Sequence, residues 1–106
     1  MKIVISQAAQ DDLLAGYFFY EQQAAGIGQY FLDTLFADID SLMLYAGIHP
    51  QLQGYYRLLS KRFPFAIYYR IERKAVRLRR VLDCRQNPAR IQGQLAPAAG
   101  KSSNKS

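Results

Sequence analysis

The chain has 106 residues, half of them apolar, one cysteine and a net charge of +6. That length holds one domain with little surplus core, and a charged fraction of 21% of mixed sign is too moderate for intrinsic disorder. No apolar run nears the roughly 20 residues that cross a bilayer and residues 3–5 are too short for a signal-peptide core, so a cytoplasmic protein is expected, with no internal disulfide because Cys84 is alone.

The β-branched run at residues 2–5 predicts a short strand ending at Ser6, a good helix N-cap, with Asp11 and Asp12 near the start of the helix that follows. Ala9, Leu13, Tyr17, Tyr20 and Ala24 recur at helical spacing, and Gly26 suits a C′ position. A second helix is predicted over about 28–45, with Phe31, Leu35, Ile39 and Leu42 on one stripe. It is closed by Gly47 and His49-Pro50, and the short link at 25–28 implies an antiparallel helical hairpin. Strands are then predicted at 53–60, 63–72 and 75–83, forming a three-stranded antiparallel sheet packed on the helices. The fold class is thus α+β: an N-terminal strand, a helical hairpin and that sheet, with a domain over residues 1–92. Residues 93–106 contain Leu95 as their one large apolar side chain and read as a disordered tail.

A two-residue turn at Arg73-Lys74 would pair residues 72 with 75, 70 with 77, 68 with 79 and 66 with 81. Phe65, Ile67, Tyr69 and Ile71 then share a core face with Val76, Leu78 and Leu82, with Arg80 as an intruder. The opposite face collects Tyr68, Arg70, Arg77 and Arg79 beside Ala66 and Val81. Charge is divided in the same sense. Residues 55–92 carry eleven basic residues against Glu72 and Asp83, while in residues 1–54 Lys2 faces six carboxylates. Like charges opposite one another, as Arg70 and Arg77 would be, are destabilising unless something negative relieves them. Either the arginines splay into water with Glu72 partly neutralising them, or the face binds an anionic partner; the pairing favours the partner.

Other constellations carry little. Gly26 and Gly28 are explained by turn chemistry, and Asp33, Asp38 and Asp40 read as a solvated acidic helix face, so neither cofactor nor metal is expected. His49, the sole histidine, reads as a loop residue without a catalytic role, and Cys84 as a buried or half-buried thiol without a positioned base.

The order of elements, with Tyr56-Arg57, the run Lys61-Arg62-Phe63-Pro64-Phe65-Ala66-Ile67-Tyr68-Tyr69-Arg70-Ile71 and the run Val81-Leu82-Asp83-Cys84-Arg85-Gln86-Asn87-Pro88-Ala89-Arg90, resembles the ParE/RelE superfamily of bacterial toxins over about residues 2–92. The resemblance implies the toxin of a type II toxin–antitoxin module, neutralised by a cognate antitoxin through an acidic flexible segment. RelE-like members cut messenger RNA on the ribosome; by motif position Arg57, Lys61 and Arg85 would be the catalytic residues of such a ribonuclease. Proton transfer at the 2′-OH and at the leaving oxygen also needs a placed acid–base group. Where RelE-like chains tend to carry a tyrosine beyond that arginine, this one has Ala89, Arg90, Ile91 and Gln92. The Phe63-Pro64-Phe65 strand and the terminal Arg-x-x-Pro lean toward ParE-like members, which inhibit DNA gyrase by binding it rather than by catalysis. The residues expected to meet antitoxin or target are Arg57, Lys61, Arg62, Tyr68, Arg70, Arg77, Arg79, Arg85 and Arg90.

Overall fold

The first strand, β1 (Lys2–Ile5), leads through Ser6 into helix α1 (Gln7–Gln23) in the computed structural model, which describes residues 1–96. The Ser6 hydroxyl accepts the Ala9 N–H at 3.0 Å, capping the helix, and donates to the Arg79 carbonyl at 2.9 Å, tying that start to a distant strand. Asp11 and Asp12 fall in the second turn rather than the first, and Ala24 lies exposed beyond the helix end. The inward stripe of α1 contains Ala9, Leu13 and Gly16.

Helix α2 (Ile27–Asp40) starts at Gly26, whose φ of 92° makes it the first cap of α2 rather than the end of α1. Its N-terminal donors are met from α1: Glu21 accepts the Gly26 N–H at 3.0 Å and the Gly28 N–H at 2.9 Å, placing a carboxylate where the helix dipole favours one. Close approach requires glycine at both crossing points. A Cβ on Gly16 would stand 2.5 Å from the Phe31 ring, and one on Gly28 2.6 Å from the Tyr17 carbonyl. The long second helix expected from periodicity is broken at Ser41, after which a single turn, α3 (Leu42–Tyr45), follows.

The expectation of a three-stranded antiparallel sheet is corrected: the sheet has five strands and is mixed. An additional short strand, β2 (Gln51–Leu52), is joined by a turn at Gln53 and Gly54, both at positive φ, to β3 (Tyr55–Leu59), so the strand expected at 53–60 starts later. With β4 (Phe65–Glu72) and β5 (Ala75–Asp83), the order is β1-β5-β4-β3-β2. β1 lies parallel to β5, Lys2 against Ala75 through Ile5 against Leu78. Such a parallel pair needs a long crossover, which the helical hairpin supplies.

Arg73 and Lys74 both adopt positive φ, and the pairs 72 with 75 and 70 with 77 form as the two-residue turn requires. Beyond them a bulge shifts the register: Tyr69 faces Leu78 but Tyr68 faces Arg80, so Arg79 is the extra residue. The expected pairs 68 with 79 and 66 with 81 are therefore replaced by 68 with 80 and 66 with 82. Val81 takes the core position expected for Leu82, and Arg80 leaves that face. The core under the helices joins Ala9, Leu13, Phe31, Leu35, Ile39 and Leu42 to Phe65, Ile67, Tyr69, Val76, Leu78 and Val81. Ile71, placed there by alternation, is exposed.

A fourth helix, α4 (Pro88–Leu95), covers part of the opposite sheet face; Asn87 caps it by accepting the Ala89 N–H at 2.7 Å, and Pro88 occupies the first turn. Ile91 and Leu95 pack on Tyr55, Ala66, Tyr68 and Leu82. Residues 93–95, assigned to a tail on composition, belong to this helix, and Leu95 is 1% exposed. The remainder of the expected tail, 97–106, lies outside the described residues. Among the described residues no helix is long and apolar enough to cross a membrane.

Candidate functional site

Where α4 leaves the outer sheet face uncovered, the basic residues of β4 and β5 gather. Arg70 and Arg77 are direct cross-strand partners, and Arg79 follows two residues on. The Arg70 guanidinium lies 4.2 Å over the Tyr55 ring and donates to the Gly54 carbonyl at 3.3 Å, which holds it flat against the sheet. Glu72 approaches Arg70 at 3.7 Å and Arg77 at 3.9 Å, but all three are roughly half exposed. Such pairs are weak, and one carboxylate cannot neutralise two guanidiniums. These side chains, with Arg79, Tyr55 and Val4, wall an open groove of about 390 Å³.

The remaining expected site residues are not gathered there. Tyr68 is wholly buried under α4, so it is a core residue rather than a contact on the basic surface. Its hydroxyl accepts from Arg57 Nε at 3.2 Å, and Arg57 Nη2 reaches Cys84 Sγ at 3.7 Å. The bond from Tyr68 raises the Arg57 pKa above its ordinary value. Arg79 donates to the Ala96 carbonyl at 3.2 Å, and Arg90 is exposed on α4. Arg85 is held by Asp83, with side-chain contacts at 3.0 and 2.7 Å. That pairing pushes the Asp83 carboxyl below the usual range and the Arg85 guanidinium up. Lys61 and Arg62 stand on the other side of the sheet, lining a groove against α2 with Tyr30, Asp33 and Asp38.

Arg57 and Lys61 thus lie on opposite sides of the sheet, while Arg85 stands exposed beside Asp83. A ribonuclease requires its phosphate-binding and proton-transferring groups to converge on one scissile bond. His49 is equally remote from the basic groove: its Nδ1 is hydrogen-bonded to the Tyr69 hydroxyl, which also accepts the Gly47 N–H at 2.9 Å. Burial holds the His49 pKa below its ordinary value. Among the described residues no three His, Cys, Asp or Glu side chains are grouped to hold a metal.

Two polar residues escaped the sequence reading. Asp12 receives Arg80 Nε and Nη2, both at 2.8 Å, and the Val81 N–H at 2.9 Å. Arg80 also donates to the Gln94 carbonyl at 3.4 Å, so one guanidinium joins α1, β5 and α4. Asp38, read as part of a solvated acidic face, is instead 7% exposed. Its spacing of three from Leu35, four from Leu42 and seven from Phe31 was the available sign that it lies beside the buried stripe.

No protein-family model matches the chain, and no curated protein does. Among solved structures it is similar to a chain of the "Chromosomal ParDE TA system from P. aeruginosa". The TM-score is 0.71 at 21% sequence identity, covering 76% of this chain and 92% of that chain. At this identity the likeness is one of fold, and function must be argued from the site.

Proposed function

We propose that this chain is the toxin of a type II toxin–antitoxin module, acting in the cytoplasm by binding DNA gyrase and held inactive by an antitoxin whose acidic segment occupies the basic groove. The observation that carries the reading is the Arg70–Arg77 cross-strand pair on a sheet of this fold. Two guanidiniums are held opposite each other in a groove that continues to Arg79, with Glu72 the one carboxylate against them among the described residues. An acidic peptide relieves this repulsion and gains charge-assisted hydrogen bonds to arginines of which Arg70 is already oriented by Tyr55 and the Gly54 carbonyl.

Binding rather than catalysis is favoured by the placement of Arg57 and Lys61 on opposite sides of the sheet. The test is a gyrase supercoiling and DNA-cleavage assay with the purified chain, its folding first verified by circular dichroism. Loss of supercoiling with accumulation of cleaved DNA is the expected result. A folded sample that leaves gyrase unaffected but cleaves messenger RNA on ribosomes would overturn the gyrase target in favour of the ribonuclease. Inactivity in both assays would overturn the toxin reading.

A further inference from the structure

Three buried side-chain oxygens have no hydrogen-bond partner among the described residues: Asp38 Oδ2, Ser60 Oγ and Gln94 Oε1. Of these, only Asp38 belongs to an ionisable group. A buried carboxylate oxygen without a donor is unfavourable, and buried polar atoms in folded chains are ordinarily partnered. The Ser41 hydroxyl does not supply that donor, since Ser41 Oγ donates to the Asp38 backbone carbonyl at 2.6 Å.

Asp38 lines a groove of about 350 Å³ between α2 and the β3–β4 connection, with Tyr30, Asp33, Leu58, Lys61 and Arg62. Lys61 and Arg62 border this groove, yet among the described residues no ion pair joins either to Asp38 or Asp33. Thr34 and Ser41 also line it, and the Tyr30 ring, Ala37 and Leu58 suit a methylene stem, while an aromatic face also attracts a cation.

We propose that this groove receives a lysine or arginine side chain of a protein partner, the charged head pairing with Asp38 and the stem lying along Tyr30 and Leu58. Lys61 and Arg62 at the rim would repel a purely basic segment, so the segment that enters carries a carboxylate beside its basic residue. Its chemistry therefore differs from that of the acidic segment suited to the Arg70–Arg77 groove, which lies on the other side of the sheet. The site follows from the unpartnered carboxylate and does not rest on the toxin reading.

The test is a ¹H–¹⁵N NMR titration of the full chain with N-acetylarginine amide as probe and the citrulline analogue as its neutral isostere. The arginine probe should shift the amides of Ala37, Asp38, Ser41 and Leu58 and saturate, the citrulline probe should not, and Asp38→Asn should weaken apparent affinity at least tenfold. Equal shifts with citrulline, equal binding by Asp38→Asn, or no shifts with the wild-type chain would overturn the proposal. If Asp38→Asn does not fold, Tyr30→Leu on the exposed lip serves in its place, and unchanged binding there is equally fatal. Lys61→Met separates an internal explanation: a lower melting temperature in the wild-type background but not in Asp38→Asn would mean that Lys61 itself completes Asp38, which also overturns the proposal.

Discussion

Asp12 meets three donors at once, two from Arg80 and one from the Val81 backbone, and the two side chains are only 14% and 20% exposed. Its bond to Arg80 raises the guanidinium pKa, keeping the charge that the pair depends on. Removing one member of a part-buried pair leaves the other without its partner, so Asp12→Ala should cost about 2 kcal/mol in urea denaturation, whereas the double change Asp12→Leu, Arg80→Met should cost much less. His49 gives a second prediction at this scale. Because burial lowers its folded pKa, the unfolded chain takes up the proton first as pH falls, through an ordinary value of about 6.5. The contribution of His49 is therefore complete above that pH and declines below it, toward the lower folded value. His49→Asn retains an acceptor for the Tyr69 hydroxyl and should flatten the fall in melting temperature between about pH 7 and 5. An unchanged slope in that variant would show that other groups set the acid sensitivity.

Among the elements, β5 shows how one residue redistributes the rest. The bulge at Arg79 sends Val81 into the helix-side core and Leu82 to the α4 side, and it frees Arg80 to reach around the strand edge to Asp12. Strict alternation could not reveal this, since a bulge has no composition of its own and is selected by what packs on either side. Helix α4 was hidden for a similar reason. Its only buried residues are Ile91 and Leu95, too few for a periodic signal, and they become apolar anchors only because Tyr68, Tyr55 and Leu82 lie beneath them. A chain ending at Gln92 loses Leu95, which corresponds to about 2 kcal/mol and a melting temperature lower by about 10 °C. A chain ending at Ala96 should melt with the intact protein, since residues 97–106 contain no large apolar side chain. Differential scanning calorimetry of the two truncations distinguishes these outcomes.

At the scale of the molecule, acidic residues concentrate on the helical hairpin and basic ones on the sheet, but few of the nine expected site residues share one surface. Arg70, Arg77 and Arg79 wall the groove, Tyr68 is buried under α4 with Arg57 bonded to its hydroxyl, and Lys61 and Arg62 face α2. Charge reversal of the three groove arginines to glutamate should weaken binding of a glutamate-rich peptide at least tenfold and flatten its salt dependence in fluorescence anisotropy. Unchanged affinity and salt slope would show that this face is not the docking surface. The hairpin of helices, the β4–β5 hairpin with its turn at Arg73-Lys74, and the Arg70–Arg77 pair were legible in the sequence, because each depends on residues near in the chain with a clear period or a short connection. The parallel β1–β5 pair, the bulge, the burial of Tyr68 and the unpartnered Asp38 were decided by the tertiary structure alone. Each depends on groups tens of residues apart, whose contact exists only once the crossover has closed the sheet and helices cover both of its faces.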